Sequence, residues 1–341
     1  LLSKDKVKML TPDRHRPSNG TCTALASIFS LIFVYASCCI HPCFGQDPIN
    51  NTVISKPPQF YFLVVGKGKV TDPTAQQQRG IDAVEKVLQA AKIAKPDAAF
   101  DSLAENVMTV AQYRSGQRSE KVTGAIFRAR MKSLQESVGP NDTVVIYTHS
   151  HGLRNGFEAE QPWGGIVLDL PVRQPKHNGA TLWNEYADLI LDIPAKNVIV
   201  LTMSCFSGGF IDQLNSPTFV DRWSKRSEEE KRNFIVLTSQ NEKLTSEPIV
   251  KNRELVNPFT LAVASALRGD ADGFRRENTK ITRPENQDNK ISVGEWIDYI
   301  LHTTEHTVSE APRRPNSAKP KTVGSFDREE ILFQYQSNPQ E

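Results

Sequence analysis

Val144-Val145-Ile146-Tyr147-Thr148-His149-Ser150-His151-Gly152 begins as a short, continuous apolar run and breaks into polar and small residues. Val198-Ile199-Val200-Leu201-Thr202-Met203-Ser204-Cys205-Phe206-Ser207-Gly208 does the same further along the chain. A strand with one wet face alternates apolar and polar residues, whereas these runs are apolar at successive positions. They therefore read as strands buried on both faces, the pattern of a parallel sheet. Functional residues in such sheets collect in the loops at the carboxyl ends of strands. Here those ends carry His151-Gly152 and Cys205.

The same alternation of apolar run and amphipathic stretch extends in both directions. Phe60–Val65 is predicted as a first strand, Asn106–Val110 as a weaker second and Asp142–Tyr147 as the third. Asn197–Met203 and Asn233–Thr238 are predicted as the fourth and fifth. Helical spacing of apolar residues predicts helices over Gln76–Ala94, Val122–Val138, Ala180–Leu191, Phe259–Leu267 and Ser292–His302. A short helix is expected over Gly209–Leu214. Strands alternating with helices imply an α/β fold, a mostly parallel sheet covered by helices on both faces.

The chain has 41 basic and 39 acidic side chains among 341 residues, a balance that gives no reason to expect nucleic acid as a partner. Four of the five cysteines (Cys22, Cys38, Cys39 and Cys43) lie near the start, and Cys205 stands alone in the body. A lone thiol there belongs to no internal disulfide framework. Basic residues Lys4 to Arg16 precede an apolar run over Ala24–Ser37, too short for an ordinary membrane span but suited to the core of a signal peptide. Residues 1–45 are accordingly expected to be an export signal cleaved after Gly45. An alternative is lipid attachment at Cys38, which resembles a bacterial lipoprotein signal, although Tyr35 stands where an aliphatic residue is usual. The expected location is outside the cytoplasm: secreted, periplasmic or lipid-anchored, with membrane contact only through such an anchor. Pro48, Pro57 and Pro58 mark 46–58 as a linker. The main domain is expected over 59–310 and a tail over 311–341, where Pro and basic residues cluster. Ser224–Arg232 is dense in charge and reads as a solvated helix face or loop.

A cysteine attacks as the thiolate, which requires a lowered pKa or a neighbouring imidazole. Cys205 follows an apolar strand and precedes Gly208-Gly209, which permit a tight turn into a helix whose N-terminus favours negative charge. His151 is the natural base and later the acid toward a leaving amine. The Gly152 and Cys205 amides are candidates to hold a developing oxyanion. Other readings of these residues exist. Cys205 could be an inert core thiol. His149 and His151 could share one face of a strand and ligate zinc, but no carboxylate joins them in Leu153-Arg154. A phosphatase loop would need arginine where Ile211 stands, and the residues flanking Ser204 lack the glycine pattern of a serine-hydrolase elbow.

A strand ending in His-Gly followed by a strand ending in Ser204-Cys205-Phe206-Ser207-Gly208 resembles the caspase/legumain clan of cysteine peptidases, closest to the legumain-like branch and its bacterial relatives. The resemblance spans roughly residues 58–310 in the order of elements. It implies a caspase-like three-layer sandwich, hydrolysis of protein or peptide substrates through a thioester on Cys205, and His151 as the acid–base partner, with no cofactor required. It also implies that the stretch after the fifth strand lines the primary specificity pocket, which makes Ser239 a pocket candidate. Legumain-like enzymes often carry an acidic residue two before the cysteine, and here that position is Met203. This departure keeps open one alternative, a catalytically weak module that binds protein; a second, a related transamidase, stays open because it shares the thioester and differs only in being resolved by an amine.

A second resemblance lies in 268–300. Ala271-Asp272, then Asn286-Gln287-Asp288-Asn289-Lys290-Ile291 and Glu295, are similar to an EF-hand-like loop found in bacterial caspase-like peptidases. Asp272, Asn286, Asp288 and Glu295 would be its calcium ligands, with Asn289 in place of the turn glycine. Residues 273–285 interrupt the loop where one residue is normal, so the alternative is a polar surface loop before an amphipathic helix.

Overall fold

The computed structural model describes residues 57–69, 79–107, 122–153, 164–168, 180–230, 232–246, 249–251, 254–274, 287–309 and 318–335, all within Ser55–Glu341. The signal and most of the linker expected over 1–56 lie outside the described residues. In chain order the elements begin with β1 (Phe60–Lys69), α1 (Arg79–Ala94), β2 (Ala99–Val107), α2 (Gly124–Ser137) and β3 (Thr143–His149). Three short strands follow, β4 (His151–Leu153), β5 (Gly165–Val167) and β6 (Ala180–Leu182), then α3 (Trp183–Leu191) and β7 (Asn197–Met203). Next come α4 (Gly208–Leu214), α5 (Pro217–Glu230), β8 (Asn233–Thr238), β9 (Ile249–Lys251) and β10 (Glu254–Val256). The described chain closes with α6 (Pro258–Ser265), β11 (Lys290–Ser292), α7 (Val293–Ser309), β12 (Lys321–Gly324) and β13 (Ile331–Gln334).

Six strands form the central sheet in the order β12-β8-β7-β3-β1-β2, all parallel except β12, which pairs antiparallel with β8. Successive residues of each strand serve opposite faces, so one apolar run feeds two cores. Val145 and Tyr147 of β3, with Ile199, Leu201 and Met203 of β7, pack with α1, α6 and α7. Val144, Ile146, Val198 and Val200 pack on the other side with α2, α3, α4 and α5. The result is a three-layer α/β sandwich, as the doubly buried runs predict.

The differences from the sequence reading have local causes. The second strand, β2, begins at Ala99, earlier than predicted, and takes in Asn106 and Val107 of the predicted stretch, whose residues 108–110 lie outside the described residues; β2 is the sheet edge and carries Asp101, Ser102 and Glu105 among its apolar residues. A half-wet edge breaks the continuous apolar signal used for the other strands. Within the stretch read as a tail, β12 extends the sheet and β13 pairs with β11. The segment also supplies buried Ala318, Leu332 and Phe333. The charged stretch before β8 lies largely in α5, whose Phe219 and Trp223 face the core.

Candidate active site

The β3–β7 register pairs His149 with Met203, and the ladder continues one step further as the Ser150 N–H donates to the Met203 carbonyl at 3.0 Å. Beyond that bond the regular ladder ends. The chain from β3 turns at Ser150 into β4, whose exposed His151 lies opposite Val167 of β5. The chain from β7 enters a turn that holds the half-buried Cys205. The two ends remain in contact: a Cβ at Gly152 would lie 1.7 Å from the Cys205 carbonyl oxygen and 3.1 Å from its nitrogen. Only glycine permits that approach. The rim thus brings Gly152 against Cys205, with His151 one residue away along β4.

The Cys205 turn is held from below. Phe206 has a left-handed φ of 56°, an uncommon conformation for a residue with a Cβ, and its N–H donates to the Leu244 carbonyl at 2.9 Å. The Ser239 hydroxyl accepts from the Ser204 N–H and donates to the Ser204 carbonyl, each at 3.2 Å. The Gln240 N–H donates to the Ser207 hydroxyl at 3.1 Å. Gly208 packs so closely on Asn241 and Glu242 that a Cβ would meet their backbone at 2.5 Å. Ser239, the pocket candidate, is buried, and its hydroxyl bonds the Ser204 backbone of the Cys205 turn.

The segment after β8 reaches the sulfur. The Ser246 N–H donates to Cys205 Sγ at 3.3 Å, while the Ser246 carbonyl lies 3.9 Å from the sulfur. The Ser246 hydroxyl donates to Met203 Sδ at 3.4 Å and accepts from Asn257 Nδ2 at 3.2 Å. Met203 is 6% exposed, so the position where an acid was expected is an apolar, sulfur-bearing side chain against Ser246. Sequence reading singled out neither Ser246 nor Asn257. The one local signal was Asn257-Pro258, an N-cap followed by proline at the first helical position.

The second histidine has a different setting. His149 ends β3, is buried, and its Nδ1 lies 3.5 Å from the Tyr147 hydroxyl and 3.4 Å from the Thr260 hydroxyl. Tyr147 and Thr260 are 2.7 Å apart, and burial pushes the Tyr147 phenol well above its ordinary range, keeping it neutral. Because Ser150 breaks the strand between them, His149 and His151 do not share a strand face. Among the described residues no group of three or more His, Cys, Asp or Glu is placed to hold a metal ion.

Sequence reading also passed over a buried charge at the same end of the sheet. Lys67, 2% exposed, donates to the carbonyls of Val122 and Leu168 and lies 4.0 Å from Glu105, which accepts the Val122 N–H at 2.9 Å. Leu168 directly follows β5, the strand beside His151. Lys67 thereby ties the β4–β5 ribbon to the central sheet. Its position after a run of apolar residues and Gly66 was the available signal.

In the calcium-like loop, Asn286 lies outside the described residues. Asp272 accepts the N–H groups of Asp288 at 3.2 Å and Asn289 at 2.9 Å. Glu295 accepts those of Gly273 at 3.2 Å and Ser292 at 2.8 Å, and Ser292 and Glu295 form a capping box on α7. Asn289 takes the left-handed turn (φ 63°) expected of it. The carboxylates of Asp272, Asp288 and Glu295 each accept backbone N–H groups of the described part of this stretch.

No protein-family model matches the chain, and no curated protein matches it. Among solved structures it is similar to protein GSU0716 from Geobacter sulfurreducens, with a TM-score of 0.44 and 15% identity. That alignment covers 82% of this chain and 100% of the other.

Proposed function

We propose that this chain is a cysteine-type endopeptidase with Cys205 as nucleophile and His151 as acid–base partner. The observation that supports it most is the seating of Gly152 on the Cys205 backbone, which puts a His-Gly and a cysteine at the ends of adjacent strands. In this reading His151 takes the Cys205 proton and the sulfur attacks the scissile carbonyl carbon. The oxyanion is received by the Gly152 and Cys205 amides. His151 then returns the proton to the departing amine, leaving a thioester that water hydrolyses with His151 as base. The exposed position of His151 suits a group that must meet substrate. Substrates would be peptide segments of proteins met outside the cytoplasm.

The test is incubation with a peptide library followed by sequencing of the cleavage sites. Cleavage should be lost in both Cys205→Ala and His151→Ala, and full activity in Cys205→Ala would overturn the assignment. Met203 in place of an acid favours a second reading, a protein-binding module of low activity. A thiol that resists alkylation at neutral pH, together with no cleavage of the library, would support that reading. Added amine nucleophiles distinguish hydrolysis from transamidation by the mass of the product.

A further inference from the structure

The contact between Ser246 and the sulfur has a support of its own, and the support ends on a side chain outside the Cys–His pair. Asn257 caps α6, its Oδ1 accepting the N–H groups of Phe259 at 3.0 Å and Thr260 at 3.2 Å. Those two donors fix which way the amide faces, because a flipped amide would set NH2 against two N–H groups. The nitrogen must therefore point away from the helix, and there Nδ2 donates to the Ser246 hydroxyl. That hydroxyl has a second anchor in Met203 Sδ. Held at both ends, Ser246 presents its backbone to Cys205 with the N–H nearer than the carbonyl, 3.3 against 3.9 Å. An N–H donor stabilises a thiolate over a thiol, whereas a carbonyl favours the thiol, and the shorter contact is the dominant one.

We propose that Asn257 is a positioning residue for Cys205: its amide fixes Ser246, and the Ser246 backbone N–H holds the sulfur as the anion. The proposal rests on the reading of Cys205 as a thiolate nucleophile and adds how the thiolate is maintained beside an exposed histidine. It assigns to one asparagine two separable tasks, an acceptor that caps a helix and a donor that sets the active sulfur. Other charged or titratable groups on the described elements around the sulfur are His151 on β4, His149 on β3 and Asp212 on α4. Glu242 and Lys243 lie on the segment after β8. None of these is altered by the variants below.

The experiment measures alkylation of Cys205 by iodoacetamide from pH 5 to 10 in the full chain, read by mass spectrometry of the Cys205 peptide so that the other cysteines do not interfere. Asn257→Ser keeps a capping oxygen and removes the amide donor. Ser246→Ala removes the hydroxyl anchor without touching the helix. Each should raise the thiol pKa by about one unit, leaving roughly a tenth of the wild-type thiolate at a pH below both values. The double variant should shift no further, because both changes release the same amide. Thermal midpoints should fall little in either, since the cap persists and the hydroxyl is half-buried. An unmoved thiol pKa in Ser246→Ala and Asn257→Ser overturns the proposal, as does a double variant whose shift is the sum of the two. Peptide cleavage is followed in the same samples. Wild type that alkylates with a low pKa but cleaves nothing overturns the peptidase reading while the shifts still decide the role of Asn257.

Discussion

Gly152→Ala places one methyl group where the two strand ends touch. The added Cβ would begin 1.7 Å from the Cys205 carbonyl oxygen and 2.7 Å from its carbon. Ordinary contact starts at 3.4 Å, so the ends must part by about 1.7 Å. The atoms met are backbone, bound into the turn by the Ser204–Ser239 and Phe206–Leu244 hydrogen bonds, and no flexible side chain can yield instead. Overpacking of this kind costs about 1–3 kcal/mol. At roughly 2–4 °C per kcal/mol for a domain of this size, the thermal midpoint should fall by several degrees. The effect on chemistry should be larger, because a displacement near 1 Å at a reacting centre costs about 100-fold in rate. Circular dichroism on heating reports the first quantity, and turnover of any peptide found in the library screen, with alkylation of Cys205, the second. A Gly152→Ala protein that melts with wild type and alkylates at the wild-type rate at every pH would show that β4 does not lie against Cys205, and the site built above would fall with it.

Three further outcomes follow from other contacts. Lys67→Met should cost about 3–5 kcal/mol by stranding Glu105 and two carbonyls, and Lys67→Met with Glu105→Gln should recover part of it; urea midpoints read both. The hydrogen bond from Lys321, at 2.7 Å, holds the Glu242 carboxyl below its ordinary value of 4.5. Its contribution is therefore full above pH 4.5 and is lost as pH falls through the depressed value. Glu242→Gln should remove roughly 0.2–1 kcal/mol at pH 7 and converge on wild type in acid, against an opposite trend from Asp212, whose carboxyl burial pushes up. Calcium at millimolar concentration should leave the melting temperature unchanged, because Asp272 and Glu295 already bond loop amides; a rise of several degrees would support the cation reading instead.

How much could be read in advance depended on how far apart the interacting residues lie. Phe62 to Val65, Val144 to Tyr147 and Val198 to Leu201 announced doubly buried strands, because burial on both faces is written into consecutive residues. The parallel sheet and its two helical layers follow from that pattern and from the helical spacing between the runs. The loops bearing His151 and Cys205 were legible for the same reason, as the places where those runs break. β2 was misplaced because an edge strand has one wet side, and β12 was missed because nothing local tells a short polar segment that it will pair with β8.

The surroundings of the sulfur were out of reach of any local pattern. Ser246 meets Cys205 across 41 residues of chain, and Lys67 meets Val122 across 55 and Leu168 across 101. His149 and His151 look equivalent at a spacing of two, and only the break at Ser150 sends one into the core beside Tyr147 and Thr260 and leaves the other exposed. Periodicity reports which residues leave water, since burial is imposed strand by strand and helix by helix. Hydrogen-bond partners such as Asn257 are chosen when distant segments pack, and the contact that makes Gly152 obligatory exists only once β3 and β7 lie side by side.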